Sequence, residues 1–435
     1  YNIEDLRQAA KRRLPRGIFE FVDGGAEDGI AVQNNRDAYT SLKTRNRVLI
    51  DVSKRTTGTE VFGHKIAMPF GVSPTGSGGI VSYGGEIEIA KAAARMGVPC
   101  TVATNALTPM EEICEKAGGN LWFQLYMWDD REMSMTFMER VKAAGFETLM
   151  VTVDGPVGPN REYNYKNGFS MPIKYTPRLF AQLLAKPGWC ARVLAQQYMK
   201  RGAFKKENYP PELRGKITGS DLSYKHVKTD SQSWEDIRRI RDMWPGNMLI
   251  KGLQSKEDAV LAMKEGLDGV VLSNHGGRYV DCAPAPLQVL PEVRAAVGDR
   301  FPVIIDSGAR RGSDLVKAIA LGAKSTFIGR AFIYGLGAAG EAGVTKALQM
   351  LRKELDITMA LAGETDINKV GHHNLLTPPA TARKVMKPKA ASKPKAAAAT
   401  AKTATKRAAP AKAKTPAKRK PAAKRAATKG TAAKG

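Results

Sequence analysis

Eight short β-rich runs recur between Ile66 and Arg330, each followed by a turn and a segment with helical spacing. The runs are Ile66–Val72, Val98–Thr104, Leu121–Tyr126, Thr148–Asp154, Asn247–Gly252, Gly269–Asn274, Phe301–Gly308 and Ser325–Arg330. The helical segments are Gly85–Met96, Pro109–Lys116, Arg131–Ala144, Ser233–Met243, Lys256–Glu265, Pro286–Ala296, Gly312–Ala320 and Gly340–Leu361. Strands that alternate with amphipathic helices imply a parallel sheet with helical crossovers, and eight units can close on themselves. The expected fold is therefore α/β, a (β/α)8 TIM barrel. Ahead of it, Asn2 to Ala38 reads as helical, with Asn2 as a cap before Glu4-Asp5 and Asp23-Gly24-Gly25 as a break.

In a barrel of this kind, chemistry sits at the C-terminal ends of the strands. The first run ends in Ser73-Pro74-Thr75-Gly76, the second in Thr104-Asn105, the third in Gln124 and Tyr126, the fourth in Thr152 and Asp154, and the fifth in Lys251. The sixth ends in Ser273-Asn274 and passes at once into His275, two glycines and Arg278. An imidazole accepts a proton near neutral pH, and a guanidinium holds a carboxylate through two parallel hydrogen bonds. Taken singly, each of these residues is more often a solvated strand end. Together at one rim they point to an active site.

The last two ends suggest a second kind of site. Asp306-Ser307-Gly308-Ala309-Arg310-Arg311-Gly312 opens a helix, and Gly329-Arg330 follows the eighth run. Main-chain N–H groups and arginines then converge where barrel enzymes commonly hold phosphate. Beside a phosphorylated redox cofactor, Lys251 has a use as a fixed cation that stabilises negative charge on the ring.

Charge divides the chain. Of the net +26, the stretch from Arg383 to Gly435 supplies 18 Lys and Arg with no acid, which leaves +8 for residues 1–382. Its Ala/Lys/Pro composition cannot bury enough apolar surface to offset ordering entropy, so residues 371–435 are expected to be disordered. Such a tail resembles that of linker histones and suits non-specific contact with nucleic acid or an acidic membrane surface. The barrel domain is expected over residues 1–370, with a long insertion at 163–232. Between Arg178 and Lys206 that insertion has seven Lys and Arg, no acid and many apolar residues, a composition that fits a lid, an oligomer contact or peripheral membrane contact. Cys100, Cys114, Cys190 and Cys282 lack metal-ligand spacing, so no metal site is expected. No run is long enough to span a bilayer and the start lacks a signal-peptide core, which implies a cytoplasmic location. The chain starts at Tyr1 rather than Met, which fits the loss of a few N-terminal residues.

Ser273-Asn-His-Gly-Gly-Arg278 with Asp281, Asp306 to Gly312, Phe123-Gln-Leu-Tyr126, Thr152-Val-Asp154 and Gly24-Gly-Ala-Glu-Asp28 occur here in one order. In that order they resemble the FMN-dependent 2-hydroxy acid oxidising family of glycolate oxidase, lactate dehydrogenases and mandelate dehydrogenase, over about Asn2 to Ala362. Arg12-Arg-Leu-Pro15, Gly24–Asp28, Pro74-Thr-Gly76 and Leu121–Tyr126 lean toward its bacterial (S)-mandelate dehydrogenase branch.

The resemblance implies FMN as cofactor and oxidation of an (S)-2-hydroxy acid, mandelate-like or lactate- or glycolate-like, with electrons passing through flavin N5 to quinone or oxygen. It implies His275 as base oriented by Asp154, Arg278 and Arg161 on the substrate carboxylate, and Tyr126 donating nearby. Pro74, Thr75, Gly76, Gln124, Thr152 and Ser273 would hold the flavin ring, and Lys251 would face its N1 and O2 edge. Asp306, Gly308, Arg310, Gly329 and Arg330 would form the phosphate side. Relatives are commonly tetramers, and membrane attachment through the insertion implies the inner face of the cell membrane.

Three positions depart from or refine the pattern. Phe21 stands where the family usually has a tyrosine that helps bind the carboxylate. Tyr279-Val280 replaces the more usual Gln-Leu. Gly76, where many oxidases of the family have alanine, favours a dehydrogenase. A second function class, a nucleic-acid or membrane-surface binding protein whose barrel has weakened activity, finds its sequence hint in Phe21.

Overall fold

All eight expected strands form and pair side by side into a closed parallel barrel. They are Phe70–Val72, Cys100–Ala103, Leu121–Leu125, Thr148–Thr152, Asn247–Leu253, Gly269–Leu272, Val303–Ile305 and Ser325–Ile328, with the eighth hydrogen-bonded back to the first. The computed structural model of the chain describes residues 1–169, 173–218 and 230–376; residues 371–376, expected to open the disordered tail, instead pack on the barrel domain with a 3-10 turn at His372–Asn374 and a buried Asn374, and the rest of the basic tail lies outside the described residues. The first barrel strand is shorter than its apolar run. Ile66 belongs instead to an antiparallel hairpin, Thr59–Val61 with His64–Ile66. Pro69, which has no N–H to give to a ladder, separates hairpin from barrel.

The outer helices follow the expected segments within a residue or so: Gly85–Met96, Met110–Ala117, Arg131–Ala143, Trp234–Met243, Lys256–Lys264, Pro286–Val297 and Gly312–Ala320. The last, Arg330–Leu361, starts ten residues earlier than its sequence pattern and is broken at Ala339 and Gly340, where φ and ψ leave the helical range. Three helices precede the barrel, Ile3–Arg13, Arg16–Asp23 and Ile30–Ser41. Asn2 caps the first through a reciprocal pair with Asp5, an interaction whose loss typically costs about 1 kcal/mol.

Side-chain alternation along the strands explains why the rim is polar. One layer of the barrel interior is apolar and buried: Trp122, Met150, Leu249, Val271, Ile304 and Phe327, one from each of strands three to eight. Two residues further along, the same inward face carries Gln124, Thr152, Lys251, Ser273 and Asp306 on strands three to seven. A period of two therefore converts an oily floor into a polar ceiling within one step of each strand. The hairpin seals the floor from below, because Val61, Phe62 and Ile66 pack into that layer and Phe62 lies 5.6 Å from Trp122, which lies 5.0 Å from Phe327. Gly71 makes room for this stack, since a Cβ there would stand 2.8 Å from the Phe327 ring.

The insertion after the fourth strand carries short helices at Glu162–Asn167, Pro177–Leu184 and Gln196–Arg201, the last continuing a π-helical turn at Cys190–Ala195. Its apolar residues divide into two sets. Leu179, Trp189, Val193 and Phe204 are buried, and the Trp189 indole N–H donates to the Ile80 carbonyl at 3.0 Å. Phe180, Leu184, Tyr198 and Met199 point outward, with Leu184 81% and Met199 77% exposed. Among the described residues of the insertion, this second set, with Tyr165 and Tyr175, is exposed for an external contact. Among the described residues, no helix is long and apolar enough to cross a membrane.

Candidate active site

The sixth strand ends in an unusual turn. His275, Gly276 and Gly277 all have positive φ, at 55°, 68° and 72°. Glycine adopts this region freely and histidine does so at some cost, so the surrounding contacts must hold it. They do so from several sides. The His275 main-chain N–H donates to Ser273 Oγ at 2.9 Å, and the Gly276 N–H donates to Ser307 Oγ at 3.0 Å. At Gly277 a Cβ would stand 2.7 Å from the Val32 nitrogen, so the preceding helical segment packs directly on the turn.

This turn aims the imidazole into a cavity of about 700 Å³ at the C-terminal mouth of the barrel. All the sequence-expected site residues line that cavity except Asp154, Thr152 and Ser273, which stand behind the wall. Asp154 Oδ1 lies 2.9 Å from His275 Nδ1, while Nε2 faces the Tyr126 hydroxyl at 3.5 Å. A carboxylate at Nδ1 fixes the tautomer that carries its proton there, leaving Nε2 as a free acceptor. That imidazole is built to take a proton at Nε2.

Lys251 lies beneath this pair, buried, donating to Ser273 Oγ at 2.9 Å and standing 3.4 Å from Asp306 and 3.8 Å from Asp154. Burial alone would push its pKa down, but Asp306 and Asp154 outweigh burial and hold the ammonium above its ordinary value. For His275 the balance is reversed: burial, aided by the Lys251 charge, outweighs Asp154 and lowers the imidazole below its ordinary 6.5. The resting histidine is therefore neutral at neutral pH. Burial drives the Tyr126 hydroxyl well above its ordinary range, so it stays a donor.

Two arginines complete this end of the cavity. Arg278 donates to the Gly24 carbonyl at 2.9 Å, and its guanidinium carbon sits 5.2 Å over the Phe21 ring. The Arg161 guanidinium lies 3.4 Å from the Arg278 carbonyl and 5.8 Å over the Tyr279 ring. Burial and the neighbouring Arg278 charge push Arg161 down to about 10. Neither arginine has a carboxylate within salt-bridge distance among the described residues. Two partly buried cations side by side call for an anion between them.

Arg310 and Arg330 continue the wall, with Arg330 sharing the Gly24 carbonyl with Arg278. The Arg310 side chain lies 5.8 Å over the Tyr334 ring, and its own main-chain N–H is taken by Asp314 at 2.9 Å. Gly308 has φ +98°, and a Cβ there would meet the Asn35 carbonyl oxygen at 2.5 Å, so only glycine fits. Arg330 differs from expectation in how it is used. It lines the cavity, but its guanidinium donates to the carbonyls of Val22, Gly24 and Gly276 at 3.2, 2.8 and 2.7 Å. It thus ties the N-terminal segment to the His275 turn.

Two polar wall residues from the insertion, Lys206 and Tyr209, were not expected at the site, and they join Asn105, which was read as a strand end. Lys206 and Tyr209, from the insertion, and Asn105, at the second strand end, form a linked set in which Lys206 Nζ stands 3.1 Å from the Tyr209 hydroxyl and that hydroxyl donates to Asn105 Oδ1 at 2.7 Å. No local pattern marks the two from the insertion, because only its folding back brings residues 206 and 209 onto the barrel mouth.

A barrel that gathers a histidine–aspartate pair, a buried lysine and several arginines at one mouth defines a class of enzyme that does acid–base chemistry on an anionic ligand, and comparison with known proteins gives the reaction. Residues 10–377 match the model of the FMN-dependent dehydrogenase family, and the chain belongs to that family. It is an FMN-dependent 2-hydroxy acid dehydrogenase. It is 37% identical over 370 residues to the (S)-mandelate dehydrogenase of Pseudomonas putida, covering 85% of this chain and 92% of that one. It is 39% identical over 369 residues to a putative L-lactate dehydrogenase of Mycobacterium tuberculosis, covering 85% and 87%. Among solved structures it resembles a monotopic membrane protein, (S)-mandelate dehydrogenase, with a TM-score of 0.81 at 36% identity over 86% of this chain and 99% of that chain.

The cavity fits the family's cofactor. Gln124 Nε2, in the cavity wall, is buried with no hydrogen-bond partner among the described residues, a costly arrangement that a polar ring edge would relieve. Arg310, whose side chain has no carboxylate within salt-bridge distance among the described residues, stands on the side expected for phosphate.

Proposed function

We propose that the chain oxidises a small (S)-2-hydroxy acid, lactate- or mandelate-like, to its 2-oxo acid, with His275 as the base. The observation that carries this reading is the meeting of the His275–Asp154 pair with Arg161 and Arg278, two partly buried cations lacking an acidic partner among the described residues. A 2-hydroxy acid carries its carboxylate on the very carbon that is oxidised. Base and cationic clamp must then lie within reach of one small molecule, and here both line one cavity.

In this reading Arg278 and Arg161 bind the carboxylate, Tyr126 donates to a substrate oxygen, and His275 takes a proton at Nε2. Asp154 stabilises the imidazolium that results. Bound FMN supplies the two-electron acceptor. Pro74, Thr75, Gly76, Gln124, Thr152, Ser273 and Lys251 would hold its ring, while Asp306, Gly308, Arg310, Gly329 and the start of the helix at Arg330 would form its phosphate side. Gly76 and the dehydrogenase names of the relatives support a quinone rather than oxygen as final acceptor.

The test is anaerobic mixing of the FMN-loaded protein with L-lactate, (S)-mandelate and other 2-hydroxy acids, followed by dye or quinone reduction against peroxide formation. The expected result is bleaching of the flavin by at least one acid; a flavin that stays oxidised with every acid sinks the reading. The same assay carries a pH prediction. Asp154, Lys251, Asp306, Tyr126 and Tyr279 surround the imidazole, and the net effect lowers its pKa. The rate at low substrate should stay flat on descending from neutral pH to below 6.5, then fall about tenfold per unit once the base is protonated. A limb that begins above 7 would contradict this assignment.

We also propose peripheral membrane contact through the outward face of the insertion. Phe180, Leu184, Tyr198 and Met199 give it exposed apolar groups, beside exposed Arg178, Arg192 and Lys200. Apolar insertion survives salt, whereas attraction of a basic tail to lipid is screened. Binding to phosphatidylcholine vesicles at about 0.5 M salt should therefore persist and should fall about tenfold or more in a Phe180→Ser/Leu184→Ser variant. Unchanged binding in that variant would remove this face from the contact.

A further inference from the structure

Tyr279 follows Arg278 directly, and nothing in the proposed reaction yet uses it. Its ring meets the His275 ring edge-on, with centroids 4.8 Å apart and planes at 78°. On its face stands Arg161, with the guanidinium carbon 5.8 Å from the ring centroid. Its hydroxyl is hydrogen-bonded to that of Tyr126, which in turn is 3.5 Å from His275 Nε2. One side chain therefore touches the base, one clamp arginine and the phenol beside the base.

The backbone is shaped around this ring. Gly155 comes directly after Asp154, and a Cβ at that position would stand 2.4 Å from both Cζ and the hydroxyl oxygen of Tyr279. Any other residue there would displace the ring from the imidazole. Across the cavity Phe21 faces Arg278 with a ring that has no hydroxyl, so it can neither donate to an anion nor orient a neighbouring phenol.

A phenolic O–H is a rotor with one proton to give and lone pairs to receive. The Tyr126 hydroxyl gives its proton to the Tyr279 oxygen, which holds the Tyr126 oxygen beside the base, 3.5 Å from His275 Nε2, until a ligand in the cavity offers another acceptor. Removing the Tyr279 hydroxyl frees that rotor without touching His275, Asp154 or either arginine. The edge-on ring contact limits rotation of the imidazole about its own axis, which matters for a histidine held at positive φ.

We propose that Tyr279 is a positioning residue for the proton-transfer step: its hydroxyl anchors the Tyr126 hydroxyl beside the reacting centre and its ring holds the His275 imidazole and the Arg161 guanidinium in place. This rests on the reading of His275 as base in 2-hydroxy acid oxidation.

The experiment is a double-mutant cycle on the full-length FMN-loaded protein, using Tyr279→Phe, Tyr126→Phe and the double variant. Anaerobic stopped-flow reduction by whichever 2-hydroxy acid bleaches the wild type yields a limiting rate and a substrate dissociation constant. For Tyr279→Phe the limiting rate should fall about tenfold while the dissociation constant changes less than about threefold. In the Tyr126→Phe background the same change should have almost no effect, because the hydroxyl acts through Tyr126. Tyr279→Leu, which also removes the ring, should slow reduction further and weaken substrate binding through Arg161. A Tyr279→Phe rate equal to wild type, or effects that multiply in the double variant, would overturn the proposal. So would loss of bound flavin in Tyr279→Phe, since that outcome marks a structural role. A wild type that no 2-hydroxy acid reduces would overturn the underlying reading instead.

Discussion

Replacing His275 with Asn should leave the protein yellow and nearly inert toward 2-hydroxy acids, with flavin reduction slowed by about 10⁴-fold. That loss corresponds to about 5 kcal/mol of transition-state stabilisation. Asparagine is the apt substitution because φ is +55° here, and after glycine it is among the residues that tolerate this region best. The turn and its hydrogen bonds to Ser273 and Ser307 should then survive. What disappears is a neutral Nε2 backed by a carboxylate 2.9 Å from Nδ1. The measurement is the single-turnover rate of flavin bleaching beside the flavin content of the purified variant. A loss of less than about tenfold with full flavin content would mean that another group takes the proton.

Arg278→Met should lower kcat/KM by on the order of 10³, mostly through weaker substrate binding. Methionine keeps the length and apolar stem while deleting the charge and the fork of donors. Its guanidinium now rests against the Gly24 carbonyl and the Phe21 ring, and these contacts orient it without neutralising it. Arg161 beside it, already pushed down to about 10 by burial and the Arg278 charge, would bind a carboxylate alone. Arg278→Lys should recover only part of the loss, since an ammonium cannot form two parallel bonds. The check is a comparison of a 2-hydroxy acid with its amide, for which wild type and Arg278→Met should converge. An equal loss on both would show that Arg278 does not read the carboxylate.

The barrel was legible because each strand is a short apolar run with period-two alternation, closed by turn residues and followed by a helix signal. Most of the site was legible for the same reason, since Gln124, Thr152, Lys251 and Asp306 each fall two residues after a buried floor residue. Failures occurred where local pattern and tertiary use diverge. Ile66 reads as the start of the first strand, yet it packs into the floor from a hairpin. Lys206 reads as one more cation in a basic stretch, yet it is buried in the cavity wall. Arg330 reads only as a phosphate residue, yet its guanidinium also donates to three carbonyls that tie the N-terminal segment to the His275 turn. The apolar residues of the insertion looked like one set, but Leu179, Trp189, Val193 and Phe204 belong to the core. Tyr279 shows the gap most sharply: in sequence it is a substitution without a reason, and in space it touches the base.

The hairpin of residues 59–66 turns the cylinder into a cup. With Val61, Phe62, Trp122 and Phe327 packed across its base, nothing passes straight through. Among the described residues the floor is shut, so the incoming acid, the departing keto acid and the oxidant that resets the enzyme reach the site from the strand-end side. Initial-rate plots against the two reactants should give parallel lines, the signature of a molecule that serves one visitor before admitting the next.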